Sequence, residues 1–308
     1  MQNRAKGILA ITVSAFGFAL MALFVRLCDD FGSPVSSFQK SFFRNAVALA
    51  IAAAAWWRTA AATRKASEAA GRAPGPGLSP KSVFFLLARS VLGTAGIFCN
   101  FYALSNIPIA EGQTLNKTAP FFTVLFAWVL LGERVTRRHL LPLVLAFLGV
   151  LLIVQPGFAG AETFPLLVGL ASGCCAGGAY ACVRVLRTLD VAPTLIVLFF
   201  SAFSCLASTP FVCIDPDPMN AVQVLILSGA GAGAAIGQFG ITLAYGYAAP
   251  RDIAVYDYSN ILFTAAFGFL FFGQVPDLWS VFGFLLILLA AFRLADGRET
   301  RFSARKTY

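Results

Sequence analysis

The sequence predicts an all-α membrane protein of ten transmembrane helices, arranged as two inverted-topology repeats of five. Three observations carry this: an apolar composition, ten apolar runs separated by short polar stretches, and a segment that occurs twice at fixed spacing. Hydrophobic residues make up 58% of the 308-residue chain and charged ones 12%, with a mean hydropathy of +0.79. Soluble domains run nearer about 45–50% apolar and about 25% charged, and a soluble globule of this length cannot cover so much apolar surface. The duplicated segment reads ALSNIPIAEGQTLNKTAPFFTVLFAWVLLGERV from Ala103, and adding 141 to each number gives AYGYAAPRDIAVYDYSNILFTAAFGFLFFGQVP. Glu111 then falls on Asp252, Asn116 on Asp257, Thr123 on Thr264, Gly132 on Gly273 and Leu148 on Leu289, without a gap. Each copy has a polar, Pro-containing start, roughly 20 mostly apolar residues, a Gly with an acid or amide, and a further apolar run. Membrane helices joined by very short loops read this way.

The first apolar run, 7–25, follows Arg4 and Lys6 in the manner of a signal peptide. It is long for one, and adding 162 places Gly7 on Gly169, Phe18 on Tyr180 and Val35 on Val197, so it is read as a helix of the mature protein. The second run, 36–57, carries Gln39, Lys40, Arg44 and Asn45, and the third, 82–104, carries Arg89 and Asn100. The fourth and fifth, 109–131 and 140–154, belong to the first copy of the duplicated segment. Runs at 164–183, 193–213, 222–245, 253–272 and 278–294 complete the second half. The expected organisation is a first repeat over 1–160, a second over 161–296 and a basic cytoplasmic tail over 297–308. An odd number of helices per half makes the second repeat enter the membrane from the opposite side. The two offsets differ by 21 residues, which assigns an insertion to the Ala-, Gly- and Pro-rich stretch 58–81, expected to be a cytoplasmic loop.

Orientation follows from the basic residues. With the N-terminus inside, one side receives 18 of the 23 Lys and Arg, while the other receives Arg26 and loops holding Asp29, Asp30, Glu162, Asp215, Asp217 and Asp277. Both termini are therefore expected in the cytoplasm, and the net charge of +9 is a topogenic signal rather than a nucleic-acid one. Glycines at i, i+4, i+8 (Gly169, Gly173, Gly177 and again Gly229, Gly233, Gly237) predict close helix packing in lipid. The seven cysteines sit mostly inside apolar runs without metal-like spacing and read as small helix residues.

Enzyme constellations are nearly absent, so no enzyme and no cofactor is expected. The sole histidine, His139, lies in a short basic loop, and no phosphate-cradling Gly-Lys-Ser/Thr motif is present to drive an ATP-fuelled pump. The remaining chemistry is polar groups inside apolar helices, where a central charge costs on the order of 2.5–3.5 kcal/mol on insertion scales. Lys40 and Arg44 share a helix face; so do Gln113, Asn116, Lys117 and Pro120, and again Asp257, Asn260 and Thr264, flanked by Tyr256 and Tyr258. Gln238 and Tyr245 add to these from the eighth run. Such groups must face one another or a water-filled cavity. Lys40 can alternatively snorkel to the headgroups, Glu111 and Asp252 can cap helix starts, and Arg89 can pair with an acid to hold helices together.

Ten helices as an inverted pair of five, ALSNIPIAEGQTL followed by a Pro-containing helix and LLGERV, and the echo of that stretch in the second half resemble the drug/metabolite transporter superfamily, specifically its EamA family of bacterial metabolite exporters. The resemblance covers essentially the whole chain. It implies a basket-like ten-helix fold with a central cavity beside the fourth and ninth helices, working by alternating access. The acid of LLGER stands here as Glu133, while its second-half counterpart is Gln274, which favours a loop-anchoring role for Glu133 with Arg134.

The expected function is thus secondary active transport, by export, of a small polar metabolite such as an amino acid. Alternatives are an uptake or exchange carrier for a nucleotide-like compound, or a non-transporting sensor or scaffold. Substrate-binding candidates are Arg44, Asn100, Asn116, Lys117, Gln238, Tyr256, Asp257, Tyr258 and Asn260. Lys117 maps to Tyr258, Lys40 to Ala202 and Arg44 to Leu206, so the embedded cations have no cationic twins and one deep acid cannot neutralise them. A substrate carboxylate or phosphate on Lys117 or Arg44 is the expected partner, with a substrate ammonium near Asp257 and the Tyr256 and Tyr258 rings. The other expected partners are the lipid bilayer and a proton or another coupling ion, with no nucleic acid, in a monomer or homo-oligomer. The expected location is the bacterial cytoplasmic (inner) membrane.

Overall fold

The computed structural model describes residues 2–33, 35–69, 78–106, 115–154, 163–214, 216–273 and 275–295, and among these the regular structure is entirely helical. Ten helices make it up: α1 (Gln2–Asp30), α2 (Ser37–Ala69), α3 (Pro80–Asn106), α4 (Ala119–Leu131), α5 (Arg137–Val154), α6 (Thr163–Thr188), α7 (Pro193–Ile214), α8 (Ala221–Tyr247), α9 (Ser259–Phe272) and α10 (Leu278–Ala295). A helical turn, Pro250–Ile253, and a 3-10 segment, Ala254–Tyr258, lead into α9. Among the described residues six stretches are long and apolar enough to cross a membrane, in α1, α3, α6, α7, α8 and the run Pro250–Phe272, while α4 and α10 are shorter apolar helices.

One boundary departs from expectation. Helix α2 continues through 58–69, a stretch expected as loop. The segment RTAAATRKASEA is rich in Ala, Arg, Lys and Glu, strong helix formers that need no apolar face to extend a helix already begun. The remainder of that loop at 70–77, Glu111, Gln113, Gln274 and the 297–308 tail lie outside the described residues.

Helix α1 packs along α8, α3 along α6, α2 along α7 and α5 along α10, while α4 lies on α6 and α9 on α1. The glycine stripes set how close these pairs come. A Cβ on Gly17 would stand 2.6 Å from the Gly237 nitrogen and 2.8 Å from the Gly233 oxygen, so α1 and α8 touch backbone to backbone. On α6, Gly173 and Gly177 receive the chain from Leu115 to Thr123, where a Cβ would meet carbonyl oxygens at 2.7 and 2.8 Å. Helices α4 and α9 end alike, on Gly132 (φ 67°) and Gly273 (φ 63°), in the left-handed conformation that costs other residues strain.

Candidate functional site

The site lies in a cavity of about 630 Å³ between the helices. At one end its lining includes exposed Arg26, at the C-terminal end of α1, with Lys40 and Phe272. At the other it reaches Arg89, Phe200 and Gln238, which are 3%, 2% and 7% exposed. One helical turn further along each helix the chain turns apolar. Leu86 lies below Arg89, Val183 below Tyr180, Ile196 below Phe200 and Ile241 below Gln238, and these join Ile11, Leu186 and Ile253 in one buried cluster. The cavity therefore opens toward the Arg26 end and stops on a greasy floor.

Of the nine substrate-binding candidates, seven line the cavity: Arg44, Asn100, Asn116, Lys117, Gln238, Asp257 and Asn260. Lys117 Nζ donates to Asn260 Oδ1 at 2.8 Å, and Asn260 Nδ2 donates to the Ala15 carbonyl at 3.0 Å. Asn116 Nδ2 donates to Ser172 Oγ at 3.2 Å. Arg44 has weaker company, with Met21 Sδ at 3.7 Å and Asn45 Oδ1 at 3.4 Å.

Tyr256 and Tyr258 sit elsewhere. The Tyr258 ring is fully buried among Val255, Leu143 and Ile287, its hydroxyl donating to the Lys117 carbonyl at 3.0 Å, and the Tyr256 hydroxyl donates to the Ala291 carbonyl at 3.0 Å. The reason is local geometry. Asp257 and Asn260 stand three residues apart and so share a face, while the steps of about 120° in the 3-10 helix over 254–258 carry Tyr256 and Tyr258 to either side of it. The matching stretch of the first half is also interrupted: Lys117 and Thr118 form a turn before α4, with Pro120 in the first turn of that helix.

Sequence reasoning left Arg89 and Tyr180 out of the site. Among the described residues Arg89 pairs with no acid: Nη2 donates to Gln238 Oε1 at 2.8 Å and the guanidinium lies 3.9 Å from the Phe200 ring centroid. A Cβ on Gly93 would come within 2.2 Å of Arg89 Nη1, so the missing side chain makes the space in which this guanidinium lies. Arg89, Gly93, Gly96 and Asn100 all line the cavity at i, i+4, i+7, i+11, a helical stripe legible in the sequence. Lys40 lines the cavity and also acts electrostatically on Asp217. The Ser36 N–H donates to Asp217 Oδ2 at 2.7 Å and holds that carboxyl below its ordinary range.

Beyond the floor, side chains tie the two halves of the chain together. Glu133 Oε1 accepts from Arg184 Nε at 2.9 Å, and Arg184 Nη1 donates to the Tyr245 carbonyl at 2.8 Å. Glu133 does anchor its loop, but through Arg184 rather than the neighbouring Arg134, whose carbonyl instead accepts from Arg251 Nη1 at 2.9 Å. Asp252 makes no cap: its helical turn starts on Ala249 without a side-chain bond, and the carboxylate faces His139 Nε2 at 3.4 Å. Arg4 donates to the Leu294 carbonyl.

The sequence profile of the EamA-like transporter family matches residues 5–155. The chain is 33% identical over 229 residues to the pseudopaline exporter CntI of Pseudomonas aeruginosa, covering 74% of this chain and 80% of that one. It is 30% identical over 208 residues to the riboflavin transporter of Rhizobium johnstonii, covering 67% and 68%. One protein of known crystal structure superposes with a TM-score of 0.67 at 19% identity, over 92% of this chain and 98% of its own, a likeness of fold alone.

Proposed function

The chain belongs to the EamA-like transporter family, and on that premise we propose that it is a secondary active transporter exporting a small polar metabolite, an amino acid or related compound, by alternating access. The observation that carries the proposal is the cavity: polar and cationic walls inside a bundle whose outer surface is apolar, open at one end and stopped at the other. The relatives' names support carriage of a polar solute, pseudopaline in one and riboflavin in another. Export is taken from the first of these.

We read the fold as ten spans in two inverted repeats, 1–160 and 161–296. Helix pairing supports this, because exchanging the halves turns the α1–α8 contact into α6–α3, turns α4–α6 into α9–α1, and leaves α2–α7 and α5–α10 unchanged. Equivalent positions meet where such an axis would pass, as when Tyr258 bonds its own counterpart, Lys117. The bilayer is the bacterial inner membrane and both termini lie in the cytoplasm by the distribution of Lys and Arg, so the open end faces outward in this state. A proton or another ion drives the cycle.

Two halves related in this way can rock about a midplane site. The inner end is latched by the Glu133–Arg184 pair; under the two offsets its outer counterpart would be Gln274 with Ala22, which cannot form an ion pair. This asymmetry explains why the inner end is the one closed here. The decisive test is flux. Proteoliposomes holding the purified protein, preloaded with a bacterial metabolite extract, should release specific small polar compounds faster than protein-free vesicles loaded alike. Equal release of every compound would leave a sensor or scaffold and sink the proposal.

A further inference from the structure

The charge in this cavity is more specific than polar lining requires, and its meaning for a substrate rests on the transporter reading. Of the 23 lysines and arginines, 18 are those assigned to the inner side; the other five, Arg26, Lys40, Arg44, Arg89 and Lys117, all line the cavity. The acid among its lining residues is Asp257. The cations nearest the floor and the one beside Asp257 form two separate groups.

Arg44 from α2 and Arg89 from α3 make the first group. Both have Tyr180 as an electrostatic neighbour, and Arg89 feels the charge of Arg44. Neither has a carboxylate within salt-bridge distance among the described residues. Their protein partners are an amide each, a thioether and an aromatic ring, and each keeps a buried Nε–H with no acceptor. Two guanidiniums lining one buried cavity repel, and a buried N–H without an acceptor adds to the cost. Two guanidiniums lining one cavity present the planar, forked donors that carboxylates and phosphates fit.

Lys117 and Asp257 make the second group, with Asn116 and Asn260. Here one cation and one acid share the wall without a salt bridge between them among the described residues, since the ammonium donates to Asn260 instead. Two of its three protons stay available, and the carboxylate keeps its acceptor capacity.

We propose that the substrate carries at least two acidic groups, carboxylate or phosphate, one clamped between the Arg44 and Arg89 guanidiniums and the other on the Lys117 ammonium, with any amino group of the same molecule on Asp257. A single acidic group fills one site and leaves the other group of charge uncompensated. A diacid spanning both neutralises these two groups, three cations and one acid, which lets the halves close around it without burying those cations unpaired. Met21 and the Phe200 ring flank the arginines with apolar surface.

The test uses the full-length protein in detergent and matched probes: glutarate, its monoamide, and 3-phosphonopropionate as the phosphorus-containing analogue. Glutarate or the phosphonate should bind at least about ten-fold more tightly than the monoamide, and which of the two is preferred separates a carboxylate from a phosphate substrate. Arg44→Gln and Lys117→Gln should each erase that advantage, while Arg44→Lys, which keeps the charge, should retain part of it. Arg44 makes only weak protein contacts, so its substitution tests binding without risking the fold. Equal affinity for glutarate and monoamide, a diacid advantage that survives in both glutamine variants, or no binding of either diacid would each overturn the proposal. Counterflow of the bound diacid in proteoliposomes tests the transporter reading separately. Binding without counterflow keeps the diacid site and removes transport; counterflow of a neutral or cationic solute at unchanged rate in both variants does the reverse.

Discussion

Lys117 and Asp257 face one cavity from opposite halves of the chain, yet the ammonium gives its hydrogen bond to Asn260 and not to the carboxylate. A carboxylate inside an apolar helix bundle is costly to keep, so one held without a salt-bridge partner among the described residues is available to change partners during a cycle, between a proton, a substrate ammonium and Lys117. Asp257→Asn is therefore expected to abolish accumulation against a gradient, by at least about ten-fold, while downhill exchange persists. The measurement is uptake into proteoliposomes with and without an imposed pH difference, and an unchanged dependence on that difference would free Asp257 from any part in coupling. At this scale the sequence was informative wherever a polar residue interrupted an apolar run. It misled at Tyr256 and Tyr258, because neighbours of Asp257 in the chain were taken to share its surroundings, whereas each step of the 3-10 helix turns the side chain by about 120°. It undervalued Arg89 because its partners, an amide and a ring on distant helices, leave no mark in local spacing.

Helix ends were partly legible and partly not. The two glycines that close α4 and α9 were visible as Gly132 and its repeat Gly273, but the start of α5 turns on a histidine whose basic surroundings read as loop. The Thr136 N–H donates to His139 Nδ1 at 3.2 Å, which makes Nδ1 an acceptor and leaves Nε2–H to point at Asp252, 3.4 Å away. The imidazole thus completes the first turn of α5 in its neutral form, ahead of the apolar run 140–154. Burial pushes His139 below its ordinary 6.5, with Asp252 opposing and Arg251, Arg138 and Arg4 assisting. A lowered folded-state value means that the unfolded chain binds the proton more readily. The contribution is present above about pH 6.5 and is lost as pH falls through the folded value. Melting temperature followed from about pH 8 to about pH 5 should drop for the wild type. In His139→Gln, whose amide can still accept from Thr136 without titrating, the drop should be smaller. Parallel curves for the two proteins would assign the acid loss to other groups.

At the scale of the whole molecule the duplicated segment was the most legible feature, since a fixed offset survives any drift in side-chain chemistry, and it led directly to the helix order. What it could not supply was the state of the molecule, because open and closed ends differ by contacts between residues far apart in sequence. The closed end is held by Glu133 on Arg184, by Arg184 on the Tyr245 carbonyl, and by Arg251 on the Arg134 carbonyl, beyond an apolar floor. The Glu133 and Arg184 side chains are only 13% and 18% exposed, so their ion pair is screened less than a surface one, and removing one partner leaves the other charge half-buried. Glu133→Gln or Arg184→Gln should destabilise the outward-open state by about 1–3 kcal/mol, a shift of roughly five- to a hundred-fold in the population ratio. A cysteine placed at Ala176, a partly exposed cavity residue, in a background with the native cysteines replaced, reports that shift. Its labelling by an impermeant maleimide from outside should slow in either latch variant and its labelling in inside-out vesicles should quicken, with a second cysteine at Asp217 labelling from outside throughout. Faster labelling from both sides would mean a loosened bundle instead of a tipped equilibrium. Unchanged rates on both sides would show that the apolar floor holds the inner end shut without the latch.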